Sequence, residues 1–230
     1  MTDNVSEIKR LLESCSTEER EEIFQQLRQE LSRHPLEVQL NTQAETILEA
    51  ISLAGPLAVR MIRGVIAQAT FATEIVENLQ GWQDVTPPRD LAYDFELTDG
   101  YVNIRVQVKL QRSVLGQPLR SDRIARKYAF SPSMYVVETQ RTRGGNRQGK
   151  KTRPYTFGEF DILAVSMYPS TNNWKSFMYT VASWLLPDQN NPDLILVYQP
   201  VALKPNADWT DDFLTCVSWF RSGQIKRIHR

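Results

Sequence analysis

Asp94, Gln107 and Lys109 are the residues whose types and spacing suit chemistry. They stand on two facing runs, Tyr93-Asp94-Phe95-Glu96-Leu97 and Val102 to Leu110, joined at Thr98-Asp99-Gly100-Tyr101. Asp-Gly between two alternating runs predicts a hairpin. Along the second run Val102, Ile104, Val106, Val108 and Leu110 share one face, the core face, and Asn103, Arg105, Gln107 and Lys109 share the other. A two-residue turn at Asp99 and Gly100 sets Asp94 opposite Arg105 and diagonal to Gln107, so that Asp94, Gln107 and Lys109 converge on one polar face. Diagonal neighbours across such a pair lie roughly 7 to 8 Å apart at Cα, within reach of a shared ion. Cleaving a phosphodiester needs a divalent cation held by oxygen ligands and a polar group to steer the attacking water. A carboxylate, a carbonyl-bearing side chain and a lysine supply both. The plainer reading of the same hairpin is an amphipathic edge pair with a solvated face, Asp94 serving as a surface partner of Arg105.

The elements that must position these residues run as helices first and sheet after. Ser16 and Glu19 have capping-box spacing ahead of a helix bearing Ile23, Leu27 and Leu31, with a shorter helix carrying Leu11 and Leu12 before it. His34-Pro35 closes that unit, which sets residues 1–40 apart as an N-terminal helical region from a domain over 41–230. Thr42 and Glu45 repeat the box and open a helix through Ile47, Leu48 and Ile51 that stops near Gly55-Pro56; Pro56 starts another running to about Leu79. Gly81 and Pro87-Pro88 end the helical part. After the hairpin, strands are predicted at 133–138, 159–167 and 194–199, with a helix from about Asn173 to Leu186 between the last two, where Trp174, Phe177, Val181 and Trp184 recur at helical spacing as a core face.

A chain of 230 residues with 41% hydrophobic content buries one good core. Cys15 and Cys216 give no disulfide framework, nothing at the N-terminus resembles a signal peptide, and the most apolar helical stretch is interrupted by Arg60 and Arg63. The expectation is a soluble cytoplasmic protein that does not enter a membrane. With His34 and His229 as the only histidines and no G-x-S-x-G elbow, neither a zinc site nor a serine hydrolase is expected.

Net charge is zero, but residues 1–50 carry 11 acids against 5 bases and residues 101–155 carry 13 bases against 2 acids. A polyanion would meet that basic centre together with the hairpin. Within it Thr139 to Pro154 holds Arg141, Arg143, Arg147, Lys150, Lys151 and Arg153 with no acid, a composition that reads as a flexible loop able to fork onto guanine edges or phosphates, or else as a solvated tether. Gly144 to Lys150 also fits G-x-x-x-x-G-K, yet Lys151 stands where a P-loop needs serine or threonine and Pro154 blocks the helix, so nucleotide binding is not expected.

Asp94 followed by Gln107-Val108-Lys109 resembles the PD-(D/E)xK nuclease signature, and specifically that of type II restriction endonucleases, with Ala92-Tyr93 where the motif often has proline and Gln107 in place of the second acid. Phe157-Gly158-Glu159-Phe160-Asp161-Ile162-Leu163 is similar to a segment that follows the catalytic hairpin in such enzymes. The resemblance implies an α/β fold, a restriction-endonuclease-like central mixed sheet with flanking helices, and sequence-specific cleavage of double-stranded DNA with magnesium (Mg2+). Asp94 would bind the metal, Gln107 and the Val108 carbonyl would complete its protein shell, and Lys109 would orient the water or stabilise phosphate charge. Glu45 has two readings, the reciprocal cap on Thr42 or the helix-borne glutamate that such folds set beside the hairpin. Glu159 and Asp161 are read as solvated strand-end acids or as acids behind the metal ligands. Cutting both strands of a palindrome implies a homodimer. The alternatives are a DNA-binding protein of this fold that has lost catalysis and a repair or structure-specific nuclease.

Overall fold

A computed structural model of the chain describes residues 2–30, 34–123, 128, 130–141, 146–147, 150–151 and 153–230. It divides into two compact units, Met1–Val59 and Arg60–Arg230.

In the first unit the helices are α1 (Thr2–Ser14), α2 (Thr17–Glu30), α3 (Pro35–Leu40) and α4 (Ala44–Ser52). The Ser16 box forms as the spacing predicts: the Ser16 N–H donates to Glu19 Oε2 (2.7 Å) and the Glu19 N–H to Ser16 Oγ (3.2 Å). His34-Pro35 opens a helix, with the Leu36 N–H donating to His34 Nδ1 (3.1 Å) and Pro35 at the first helical position. The Thr42 box does not form. Gln43 is the N-cap, the Ala44 N–H goes to Glu37 Oε1 (2.9 Å), and the Glu45 carboxylate is paired with Arg28. An arginine outcompetes a neutral backbone amide for a carboxylate, because both partners then carry charge.

The helix α5 (Pro56–Thr70) begins at Pro56 and continues through a π turn, Phe71–Ile75, and a 3-10 turn, Val76–Asn78, so the helical path ends where the sequence predicts. The π turn seats Phe71 against Phe95, Phe177 and Phe213, with ring centroids 5.2, 5.6 and 5.9 Å away.

The second unit holds a five-stranded mixed sheet. Its strands, in spatial order, are β1 (Gln83–Asp84), β2 (Phe95–Thr98), β3 (Asn103–Leu110), β9 (Ile162–Ser166) and β10 (Phe177–Val181), all antiparallel except the β3–β9 pair. Smaller ladders pair β4 (Ser113–Val114) with β5 (Gln117–Pro118), β6 (Tyr135–Glu138) with β11 (Tyr198–Val201), and β7 (Asn146–Arg147) with β8 (Lys150–Lys151). The alternation on β3 is realised: Ile104, Val106 and Val108 are buried in the core. A C-terminal helix, Phe213–Arg221, capped by Asp212 Oδ1 on the Thr215 N–H (2.7 Å), buries Phe213, Cys216 and Val217 against it.

Two expectations are corrected. Residues 173–186 are not a helix: Phe177–Val181 is strand β10, followed by a 3-10 turn at Ala182–Trp184. Every residue of β10 is buried, so a strand covered on both faces shows no alternation and its aromatics fell by coincidence at helical spacing. The hairpin register also differs, with Phe95 facing Val106 and Glu96 facing Arg105. Asp99 Oδ1 accepts the Tyr101 and Val102 N–H groups (3.1 and 3.2 Å), which widens the turn to four residues. The last predicted strand, 194–199, is displaced towards the C-terminus as β11.

Candidate active site

Asp94 lies just ahead of β2. Its N–H donates to the Val106 carbonyl (3.0 Å), although Phe95 already faces Val106. Two residues against one is the geometry of a bulge, and it aims the Asp94 carboxylate across the hairpin at β3. Oδ2 accepts the Val108 N–H (2.8 Å) and the Gln107 Nε2–H (2.5 Å). Gln107 Nε2 also donates to the Val108 carbonyl (3.1 Å). The other end of the carboxamide, Oε1, accepts the Tyr155 hydroxyl (3.1 Å), and that hydroxyl oxygen accepts Lys109 Nζ (3.1 Å). The four side chains therefore form one continuous network from carboxylate to ammonium.

These groups line a cavity of about 630 Å³ together with Asp90, Leu91, Ala92 and Arg141. Gln107 and Tyr155 are 3% exposed, so the polar face of β3 is covered rather than solvated at this point. Lys109 Nζ and the Arg141 guanidinium lie 5.1 and 5.0 Å from the centre of the Tyr155 ring. Burial raises the Asp94 carboxyl above its ordinary range, against the opposing pull of the Lys109 ammonium and the Val108 N–H. Burial likewise lowers Lys109, opposed by Asp94 and by Glu138 on β6. Tyr155 is pushed well up by burial, with the Asp94 charge adding to it, so its hydroxyl keeps its proton at neutral pH.

Asp94, Gln107, Val108 and Lys109 are thus brought together, and Arg141 from the basic segment lines the same cavity. Arg141 is also paired with Glu159 (2.5 Å). Arg153 meets Arg141 through backbone, the Arg141 N–H donating to the Arg153 carbonyl (2.9 Å). Arg147, Lys150 and Lys151 belong to the β7–β8 ladder, and Arg143 lies outside the described residues. Glu45 belongs to the first unit, where it pairs with Arg28. Asp161 is taken by Arg105, whose Nη2 reaches Oδ1 at 2.8 Å, so Arg105 is not the partner of Asp94. Sequence reasoning gave no role to Tyr155 or Asp90. Tyr155 reaches Gln107 across 48 residues of chain, which local spacing does not reveal; its only signal was an aromatic at the end of the basic segment. Asp90, four residues before Asp94, carried no pattern of its own.

Asp94 Oδ2 and the Val108 carbonyl both accept from one nitrogen, so they point at a common spot, and the Gln107 carboxamide is within bonding distance of both. Turned over, that carboxamide would add a third oxygen. Such a set suits a hard cation that takes carboxylate and carbonyl ligands, as magnesium does. Among the described residues no group of three or more His, Cys, Asp or Glu is placed to hold a metal; Asp94 is the carboxylate of this oxygen set, and Asp90 is a second one on the cavity wall.

No helix among the described residues is long and apolar enough to cross a membrane. No protein-family model matches the chain, and no curated protein matches it. Among solved structures, a bacterial homing endonuclease, I-Ssp6803I, is similar with a TM-score of 0.36 and 17% identity, over 74% of this chain and 96% of that one.

Proposed function

We propose that this chain is a magnesium-dependent, sequence-specific endonuclease with a restriction-endonuclease-like fold, which hydrolyses phosphodiesters in double-stranded DNA as type II restriction enzymes do. The observation that carries the reading is the convergence of Asp94 Oδ2 and the Val108 carbonyl on one point beside Lys109, in a cavity roomy enough for a phosphate group. Asp94, Val108 and Gln107 would hold Mg2+, which supplies charge neutralisation of the phosphate and a more acidic water. Lys109, fixed by the Tyr155 hydroxyl, orients the attacking water and stabilises the charge that builds on the phosphate. In the reaction a water oxygen bonds to phosphorus, one ester P–O bond breaks, and the departing oxygen takes up a proton. Arg141 at the cavity wall meets a phosphate, and the basic segment around Arg143, Arg147, Lys150, Lys151 and Arg153 supplies affinity for the duplex. A homodimer acting in the cytoplasm would cut both strands of a two-fold symmetric site.

A second reading, a DNA-binding protein without catalysis, is favoured by Gln107, an amide and not a second acid, standing beside Asp94 in the oxygen set that would hold the cation. Incubating the purified protein with magnesium chloride and a long duplex separates the two. Discrete fragments that disappear with Asp94→Ala support the nuclease. Intact but retarded DNA supports the binder, and DNA that is neither cut nor retarded overturns both.

A further inference from the structure

The Gln107 carboxamide sits among groups whose donor and acceptor roles are fixed by chemistry. Asp94 Oδ2 and the Val108 carbonyl are acceptors only, 2.5 and 3.1 Å from Nε2. The Lys109 ammonium is a donor only and occupies a lone pair of the Tyr155 hydroxyl at 3.1 Å. The one hydroxyl proton therefore goes to Gln107 Oε1, also at 3.1 Å. No link in this chain reverses alone. Turning the carboxamide over sets Oε1 against a carboxylate and a carbonyl with no proton among the three oxygens, and sets the NH2 group against a hydroxyl proton aimed at it. A divalent cation among those three oxygens inverts the preference, because each then has a positive charge to face.

We propose that the Gln107 carboxamide turns over when a divalent cation binds at Asp94, and that Tyr155 is the positioning residue that holds it in its cation-free orientation. The inference rests on the reading of this site as a cation-dependent nuclease centre and deepens it. In the turned state the NH2 group faces the Tyr155 oxygen, whose lone pair Lys109 already occupies, so the Gln107–Tyr155 bond is lost and the hydroxyl proton is displaced. Tyr155 lines the cavity, so that proton is offered to an anion oxygen lodged there, a phosphate in the proposed reaction. The cation and the phosphate thereby become linked through this chain's own side chains. An enzyme with a second acid at position 107 has no amide to turn and no such link.

The test adds magnesium chloride to isotope-labelled protein in the absence of DNA, following the Asp94 carboxylate carbon and the Gln107 side-chain NH2 signals by nuclear magnetic resonance. Tyr155→Phe is measured in parallel. That variant keeps the ring and its edge contact with Phe160 (centroids 5.3 Å apart), so it tests the hydroxyl rather than the packing. The expected result is that the two signals move together, and that Tyr155→Phe binds magnesium roughly three- to tenfold more tightly, as loss of one hydrogen bond from the cation-free state predicts. An Asp94 signal that moves while the Gln107 NH2 stays still overturns the turnover. Unchanged or weaker magnesium binding in Tyr155→Phe overturns the role of Tyr155. An Asp94 signal that never moves overturns the cation site itself, and the nuclease reading with it, so the two failures are told apart.

Discussion

Arg105 and Asp161 hold each other through a bidentate pair and a backbone bond. The guanidinium donates from Nε to Oδ2 (2.9 Å) and from Nη2 to Oδ1 (2.8 Å), while the Arg105 N–H also reaches Oδ2 (2.8 Å). The Asp161 N–H returns a bond to the Arg105 carbonyl (2.8 Å). This clasp sits where the parallel strands β3 and β9 begin to pair, and it withdraws one cation and one acid from the polar face. Lys109 is left as the cation of that face that bonds into the Asp94 network.

The clasp is expected to be structural. With side-chain exposures of 34% and 13% it lies between a surface ion pair and a buried one, so Arg105→Ala or Asp161→Ala should destabilise the fold by about 1 to 3 kcal/mol. Urea unfolding of the two single variants and the double variant measures the coupling. A double variant whose loss equals the sum of the singles would show that the pair contributes nothing as a pair.

Asp94→Ala and Lys109→Ala are expected to abolish cleavage while leaving DNA binding measurable. Both side chains bond within the cavity network, whereas affinity is assigned to the basic segment. Gel retardation and cleavage on the same preparations check this. Wild-type cutting by Lys109→Ala would remove it from the chemistry.

Magnesium binding should depend on pH through Asp94. Its carboxyl is raised above 3.8, so the folded protein keeps that proton to higher pH than the unfolded chain does. The proton must leave before the cation binds, and affinity should therefore climb with pH through a window lying above 3.8 and level off once Asp94 is ionised. For stability the sign is opposite: the contribution of a raised carboxyl is full below 3.8 and is lost as pH rises through its folded value. Lys109, lowered from 10.5, penalises the fold below its folded value, and that penalty is relieved as pH rises towards 10.5. Asp94→Asn combined with Lys109→Met should consequently unfold at a higher temperature than wild type at pH 7. Calorimetric magnesium binding over a pH series, together with thermal unfolding of the double variant, checks both statements. Affinity already flat with pH above 3.8 would contradict the first.

The chemistry of β3 was legible because a strand with one apolar face writes its period of two directly into the sequence, and Ile104, Val106 and Val108 follow it. The register was not, because Asp-Gly is the sign of a two-residue turn while the Asp99 carboxylate here caps a four-residue one. The shift is by two residues, so every side chain kept its face and Asp94 still met Gln107. Strand β10 was misread because burial on both faces erases alternation. Tyr155 was illegible for a different reason: its role lies in a contact between distant parts of the chain, which no window of sequence contains. Glu45 shows competition between partners, since the cap its spacing allowed gave way to Arg28.

The basic segment from Thr139 to Pro154 yields the last prediction. Arg141 lines the cavity and is paired with Glu159, so part of its charge is balanced at home, while the backbone of Arg147 and Lys150 is paired in the β7–β8 ladder. A duplex seated at the cavity would lie beside this segment, and replacing Arg141, Arg143, Lys150 and Lys151 with alanine should weaken its binding. Each lost phosphate contact releases fewer counterions and should flatten the slope of log affinity against log salt by roughly 0.9, whereas a lost base contact should relax discrimination between sequences with little change of slope. Salt series on specific and scrambled duplexes separate the two roles. Should the fourfold variant equal wild type in affinity, slope and sequence preference, the segment takes no part in recognition, and the duplex must be held by another surface of the protein.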